Sequence, residues 1–294
     1  MSTGAVSGEG LLPLPHPPSL VTNVCTLARR ELCDAVRSRW FLLYTLAFAV
    51  LGLGVSWVST SATGGAGLGG FGRTTAGLVN LVLLVVPLMA LTAGAGSIAS
   101  DRERGMLSYL LAQPVTRGEV LLGKFCGLAG ALLACICLGL GACGVILSLG
   151  RGAAHSASIV WLAGLSFGLA LGMLSVGLLI STLARRASVA VATAIFLWLA
   201  LVFVTDLGLM AGTVAMRLRI EELFVLSLAN PLQVFKMWSL FAGEQSLDVL
   251  GPAGLYATEE YGARLHALFA ACLSVWVVVP LGVAALVFRR RVPL

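Results

Sequence analysis

Residues 158–183 read SIVWLAGLSFGLALGMLSVGLLISTL, and residues 187–211 read ASVAVATAIFLWLALVFVTDLGLMA, with only Ala184-Arg185-Arg186 between them. The first stretch holds no acidic or basic residue, and the second holds a single acid, Asp206. Crossing the hydrocarbon core of a bilayer takes about 20 apolar residues in a helix. A chain in lipid must satisfy its backbone groups internally, so each stretch reads as a helix. Two such helices joined by a short basic turn form an antiparallel pair surrounded by lipid. The expected fold class is therefore an all-α integral membrane protein.

Four more spans follow outward from this pair, at residues 40–60, 78–99, 120–149 and 265–288, which makes six. Of the 294 residues, 59% are hydrophobic and only 11% are charged, against roughly 25% charged in a soluble domain. Mean hydropathy is +0.99. The net charge of +6 does not indicate a nucleic-acid partner, because the bases form short clusters between apolar runs rather than one stripe. With the N-terminus inside, thirteen Lys and Arg face the cytoplasm and six face the other side. The excess of Lys and Arg marks the cytoplasmic loops, so both termini are expected in the cytoplasm.

Residues 1–21 carry four prolines before position 20, no Lys or Arg and no apolar core of a secretory signal, and read as a disordered tail. Residues 22–39 place Val24, Leu27, Ala28, Leu32, Ala35 and Val36 at helical spacing, with Arg29, Arg30, Asp34 and Arg37 on the polar faces. This amphipathic helix is too polar to span and is expected along the inner membrane surface, running into the first span at Trp40. Residues 40–294 form the six-helix membrane body. Its glycine-rich stretch 60–77 reads as an outer loop. Its largest outer segment, 212–264, predicts two short surface helices broken at Pro231.

Several motifs fail on context. Gly67 to Gly72 fits G-x-G-x-x-G but lies between two spans, not between a strand and a helix. Gly118 to Phe125 approaches a phosphate-binding loop, yet Phe125 stands where a magnesium-binding hydroxyl is needed. Cys135 and Cys137 point about 200° apart on a helix and cannot share a metal. Met210, Met216, Met237, His155 and His266 lie near the outer side without a tight cluster, so no metal site is assigned. Small-residue ridges at Gly123/Gly127, Gly164/Gly168/Gly172 and Gly208/Gly212 allow close helix approach, within the subunit or across a dimer. Asp206, deep in an apolar run, is a candidate functional or structural intramembrane polar group. No catalytic constellation emerges, and an enzyme is not expected.

Residues 99–125, ASDRERGMLSYLLAQPVTRGEVLLGKF, join spans two and three on the expected cytoplasmic side. Alternating charges at Asp101, Arg102, Glu103 and Arg104 precede Gly105, a short apolar helix with Leu107, Leu110 and Leu111, and Pro114 as a stop; Arg117, Glu119 and Lys124 open the next span. Such a hairpin could dock in a partner's groove by its apolar ridge, its charges setting register. Here the chain resembles the permease subunits of type-2 ABC transporters, with Glu103, Gly105, Leu107, Leu110, Leu111, Pro114, Arg117, Gly123 and Lys124 in matching places. It departs at Met106, where Thr is usual, and at Tyr109, where Glu is common. The resemblance implies a coupling element at Asp101, Arg102, Glu103, Arg104, Gly105, Leu110, Pro114 and Arg117. That element would meet a cytoplasmic ABC ATPase, which would hold the ATP and magnesium; this chain would bind no cofactor.

Residues 27–44 (LARRELCDAVRSRWFLLY), 229–237 (ANPLQVFKM) and 248–256 (DVLGPAGLY) narrow the resemblance to the Nos subgroup, whose transporters serve nitrous-oxide reductase. That likeness implies a homodimer, two ATPases, a periplasmic β-helical partner and a part in copper-site maturation. It would place Asn230, Pro231, Phe235, Gly251 and Pro252 towards the periplasmic partner. The alternative is a general type-2 ABC exporter of a lipid, drug or peptide.

Overall fold

A computed structural model describes residues 20–62, 69–111, 115–151, 156–214, 220–242 and 262–291. In chain order the helices are α1 (Leu20–Arg37), α2 (Arg39–Ala62), α3 (Gly69–Glu103), α4 (Met106–Leu111), α5 (Arg117–Arg151), α6 (Ser156–Leu183), α7 (Ala187–Val214), α8 (Ile220–Leu228), α9 (Pro231–Ala242) and α10 (Leu265–Arg291), the last entered through a 3-10 turn at Gly262–Arg264. Among the described residues six helices, α2, α3, α5, α6, α7 and α10, are long and apolar enough to cross a membrane. They match the six expected spans, and the protein is an all-α integral membrane protein with multiple passes. At 35 residues each, α3 and α5 run about 50 Å, well beyond the roughly 30 Å of hydrocarbon. Both therefore project past the bilayer. The near phosphate-binding loop at Gly118–Phe125 is a continuous part of α5.

The helix ends that carry the Lys and Arg clusters gather on one side, here called the basic end. The turns on that side are written in cap chemistry. Ser38 breaks α1 from α2, and its Oγ accepts the N–H of Phe41, the N-cap bond of α2. Thr116 and Glu119 form a reciprocal capping box at the start of α5: the Glu119 N–H reaches Thr116 Oγ1, and the Thr116 N–H reaches Glu119 Oε2 at 3.2 Å. Gly105, with φ +69°, turns the chain from α3 into α4, and its N–H bonds the Arg102 carbonyl. A left-handed residue after a helix favours glycine, because a Cβ there costs roughly 1–2 kcal/mol.

α3 and α6 form the centre. Inside a bilayer lipid tails are as apolar as leucine, so helices gain most from close approach of backbones. At Gly94 and Gly177 they touch backbone to backbone. A Cβ at Gly177 would lie 2.6 Å from the Leu91 carbonyl oxygen, and one at Gly94 2.8 Å from that of Leu174. One turn further, Ser181 Oγ accepts the N–H groups of Ile98 and Ala99 at 3.0 and 2.9 Å. Val82, Leu91, Ala95 and Ile98 of α3 and Leu169, Met173 and Leu174 of α6 are fully buried around this crossing. By contrast α2, α7 and α10 present Leu42, Leu46, Phe196, Phe203, Val275 and Val278 outward, as helices in contact with lipid should.

The glycine ridges sort by partner. Gly123 and Gly127 of α5 admit α1: a Cβ at Gly123 would meet Leu27 at 2.5 Å, and one at Gly127 the Ala28 carbonyl at 2.5 Å. Gly168 and Gly172 of α6 face Leu273 and Trp276 of α10. α1 runs in the same direction as α5, with Asn23 at Glu119, Leu27 at Gly123 and Glu31 at Gly127, a pairing that repeats every four residues.

The outer segment departs from expectation. Asn230 caps α9 through the Leu232 N–H, and Pro231 takes the first helical position, so the break falls where it was predicted. But α9 is not a surface helix. Leu232, Val234, Phe235 and Met237 are buried, and it packs on α6 and α10. Its residues find apolar neighbours on more than one side, which a one-sided reading of its periodicity could not show.

Candidate functional site

At the basic end the hairpin's charges turn inward. Lys124, two turns inside α5, is almost wholly buried, its side chain 3% exposed. Its Nζ lies 2.6 Å from Glu31 Oε1 of α1 and 2.7 Å from Asp101 Oδ2 of α3. A buried ammonium is tolerated only with partners, and here two carboxylates from two other helices supply them. Beside it Glu119 accepts Asn23 Nδ2 at 3.0 Å. Three helices thus meet at one cation.

The neighbouring residues reach helix ends. Arg102 Nη1 donates to the Ala184 carbonyl at the end of α6. Glu103 Oε1 accepts the Ala187 N–H at 3.0 Å, the first residue of α7. Arg117 Nη1 donates to the Arg289 carbonyl in the last turn of α10. Helix termini leave unpaired N–H and C=O groups, and a carboxylate at an N-terminus or a guanidinium at a C-terminus also complements the helix dipole. The run Asp101–Glu103 and Arg117 therefore tie the hairpin to α5, α6, α7 and α10.

In α4, Leu107 and Leu110 are buried within the chain, whereas Met106 and Tyr109 face out, Tyr109 at 67% exposure. The apolar ridge expected to enter a partner's groove is thus used internally. Arg104, Met106 and Tyr109 are what the hairpin presents outward. The reason is geometric: Gly105 folds α4 back, so its leucines turn inward. Pro114 lies outside the described residues.

The remaining sequence-predicted positions fall apart from this cluster. Asn230, Pro231 and Phe235 are buried inside the chain, with Asn230 Nδ2 donating to the Leu201 carbonyl, so they brace α9 rather than offer a contact surface. Gly251 and Pro252 lie outside the described residues. Asp206 belongs to α7, and its side chain is outside the described residues. Cys135 is buried and donates to Met89 Sδ at 3.7 Å, while Cys137 is exposed. Among the described residues no three His, Cys, Asp or Glu side chains converge. His266 accepts from Trp238 Nε1 at Nδ1, 2.9 Å, within a ring of Trp161, Trp238 and Phe241. With Nδ1 accepting, the neutral imidazole carries its proton on Nε2.

Sequence reasoning missed the Lys124 pairing and the Gly94–Gly177 crossing. A lone Lys seven residues into a span-length helix was the available signal for the first, since such a charge must be matched.

Six spans, a paired N-terminal helix and a charged hairpin bonded to helix ends define a membrane-spanning permease subunit. A family model described as ABC-2 family transporter protein matches residues 25–291, and the chain belongs to that family. It is similar to the "Probable ABC transporter permease protein NosY" of Stutzerimonas stutzeri, 32% identical over 277 residues that cover 92% of this chain and 99% of that protein. It is also similar to the protein of the same name from Pseudomonas aeruginosa, 30% identical over 275 residues, covering 91% and 98%.

Proposed function

We propose that this chain is the permease subunit of a Nos-type ABC transporter in a bacterial inner membrane, with the basic end in the cytoplasm. A separate ATPase binds and hydrolyses ATP with magnesium. Two copies of this chain pair with two ATPases, and a periplasmic β-helical protein completes a machine for copper-site maturation of nitrous-oxide reductase. The likeness to the two NosY permeases and the excess of Lys and Arg at one end support the reading.

The observation that carries the coupling role is the bonding of Arg102, Glu103 and Arg117 to the ends of α6, α7 and α10. A push on α4 from the ATPase is passed to three spans through backbone groups. The outward face, Arg104, Met106 and Tyr109, receives that push. The test is purification of the tagged protein from mild detergent, followed by ATPase assay. An ATPase and a β-helical periplasmic protein should co-purify, and Tyr109→Ala should lower ATPase recovery while the chain stays folded. Absence of any ATPase overturns the reading. An ATPase without the periplasmic protein favours the general type-2 exporter.

A further inference from the structure

A cavity of about 820 Å³ lies between α2 and α7 towards the basic end, lined by residues of α1, α2, α3, α4, α5 and α7. The two helices that flank it do not pack closely on each other. Its body is apolar, formed by Phe41, Met89, Ala93, Leu128, Val191 and Ile195. Its end is charged on both signs, with Glu31, Asp34 and Asp101 facing Arg30, Arg104 and Lys124. Pockets of roughly 300–1,000 Å³ with an apolar body and a few convergent polar groups are the ordinary form of a ligand site.

The charges do not cancel locally. Lys124 serves both Glu31 and Asp101, so one carboxylate charge beside it is unmatched. Arg30 and Asp34 pair loosely on α1 at 3.8 Å. Arg104 makes no ion pair among the described residues. The polar end is thus a separated plus and minus, with an apolar slot behind it between helices that present Leu43, Leu46, Ile195 and Phe196 outward.

We infer that this cavity holds a zwitterionic aminophospholipid, of the phosphatidylethanolamine type, from the leaflet at the basic end. Its phosphate meets the Arg104 guanidinium, whose planar fork suits phosphate oxygens. Its primary ammonium donates to the surplus carboxylate at Glu31 and Asp101, and an acyl chain lies along Val191 and Ile195. Phosphatidylglycerol offers no cation to the carboxylates, and the trimethylammonium of phosphatidylcholine has no hydrogen to donate to them. A second copy of this chain would bring the same charges and no phosphate. The site does not depend on the transporter's cargo, and it shares Arg104 and Met106 with the hairpin face proposed to meet the ATPase.

The test is native mass spectrometry of the purified full chain, titrated with phosphatidylethanolamine, phosphatidylglycerol and phosphatidylcholine of identical acyl chains. One phosphatidylethanolamine should be retained per chain, about tenfold more tightly than either of the others. Arg104→Gln, an exposed change, should abolish the preference. Ile195→Trp, which fills the slot, should weaken retention of all three, while Lys236→Gln at the opposite end changes nothing. Equal retention of the three lipids, or undiminished retention in both groove variants, overturns the inference. So does efficient chain-to-chain cross-linking through Val191→Cys with no lipid retained.

Discussion

At the basic end, helices meet through an ammonium, guanidinium groups and carboxylates aimed at helix termini; at the opposite end, α9 fills the space between α6 and α10, its Val234 and Met237 clustering with Phe269 and Leu273 of α10, and its directional bonds run from Trp238 to His266 and from Asn230 to Leu201. Apolar packing in lipid is exchangeable for lipid contact, whereas a buried charge that loses its partner has nowhere to go. The basic end therefore fixes relative helix positions, and the other end can repack. A lever needs this division: a stiff joint where force enters and a yielding one where it is spent.

The contrast can be broken most directly at Lys124. Lys124→Met leaves Glu31 and Asp101 without their cation and should cost about 3–5 kcal/mol, read as loss of folded yield and a lower thermal midpoint in detergent. A midpoint within a degree or two of the parent would mean that the stiff joint lies elsewhere. Next comes the α3–α6 crossing common to both ends. Gly177→Ala puts a methyl against the Leu91 carbonyl and should cost about 1–3 kcal/mol by the same measurement; a neutral result would show that the backbones can separate. Glu103→Ala removes the carboxylate that caps α7 and should cost only about 1 kcal/mol, because the group is exposed, yet it should uncouple ATPase stimulation. Full stimulation would detach α7 from the hairpin's role. The smallest effect is expected at Trp238→Phe, about 0.5 kcal/mol from one lost hydrogen bond. A loss there matching that at Lys124 would erase the difference between the ends.

The spans were legible because lipid imposes a length and a polarity that no soluble helix shares, and Pro231 marked its break because it cannot donate within a helix. The hairpin was legible as an element but not in its wiring. A run such as Asp101-Arg102-Glu103-Arg104 looks the same whether its side chains reach water or the backbone of another helix. Only the placement of Ala184 and Ala187 beside it decides. Gly94 and Gly177 stayed hidden for a related reason: each is one glycine among many in the chain, and the pairing belongs to neither helix alone. Gly164, which drew notice by its spacing with Gly168 and Gly172, itself faces open space.

The pairing of α1 with α5 also sets an order of events in synthesis. Asn23 and Glu119 are 96 residues apart in the chain. At 5–20 residues per second, the ribosome needs roughly 5–20 s to make the second after the first. During that interval α1 has no groove, and its arginines wait at the membrane surface while α2 and α3 insert. The glycines of α5 then arrive as a latch, so the N-terminal helix is among the first parts made and among the last put in place.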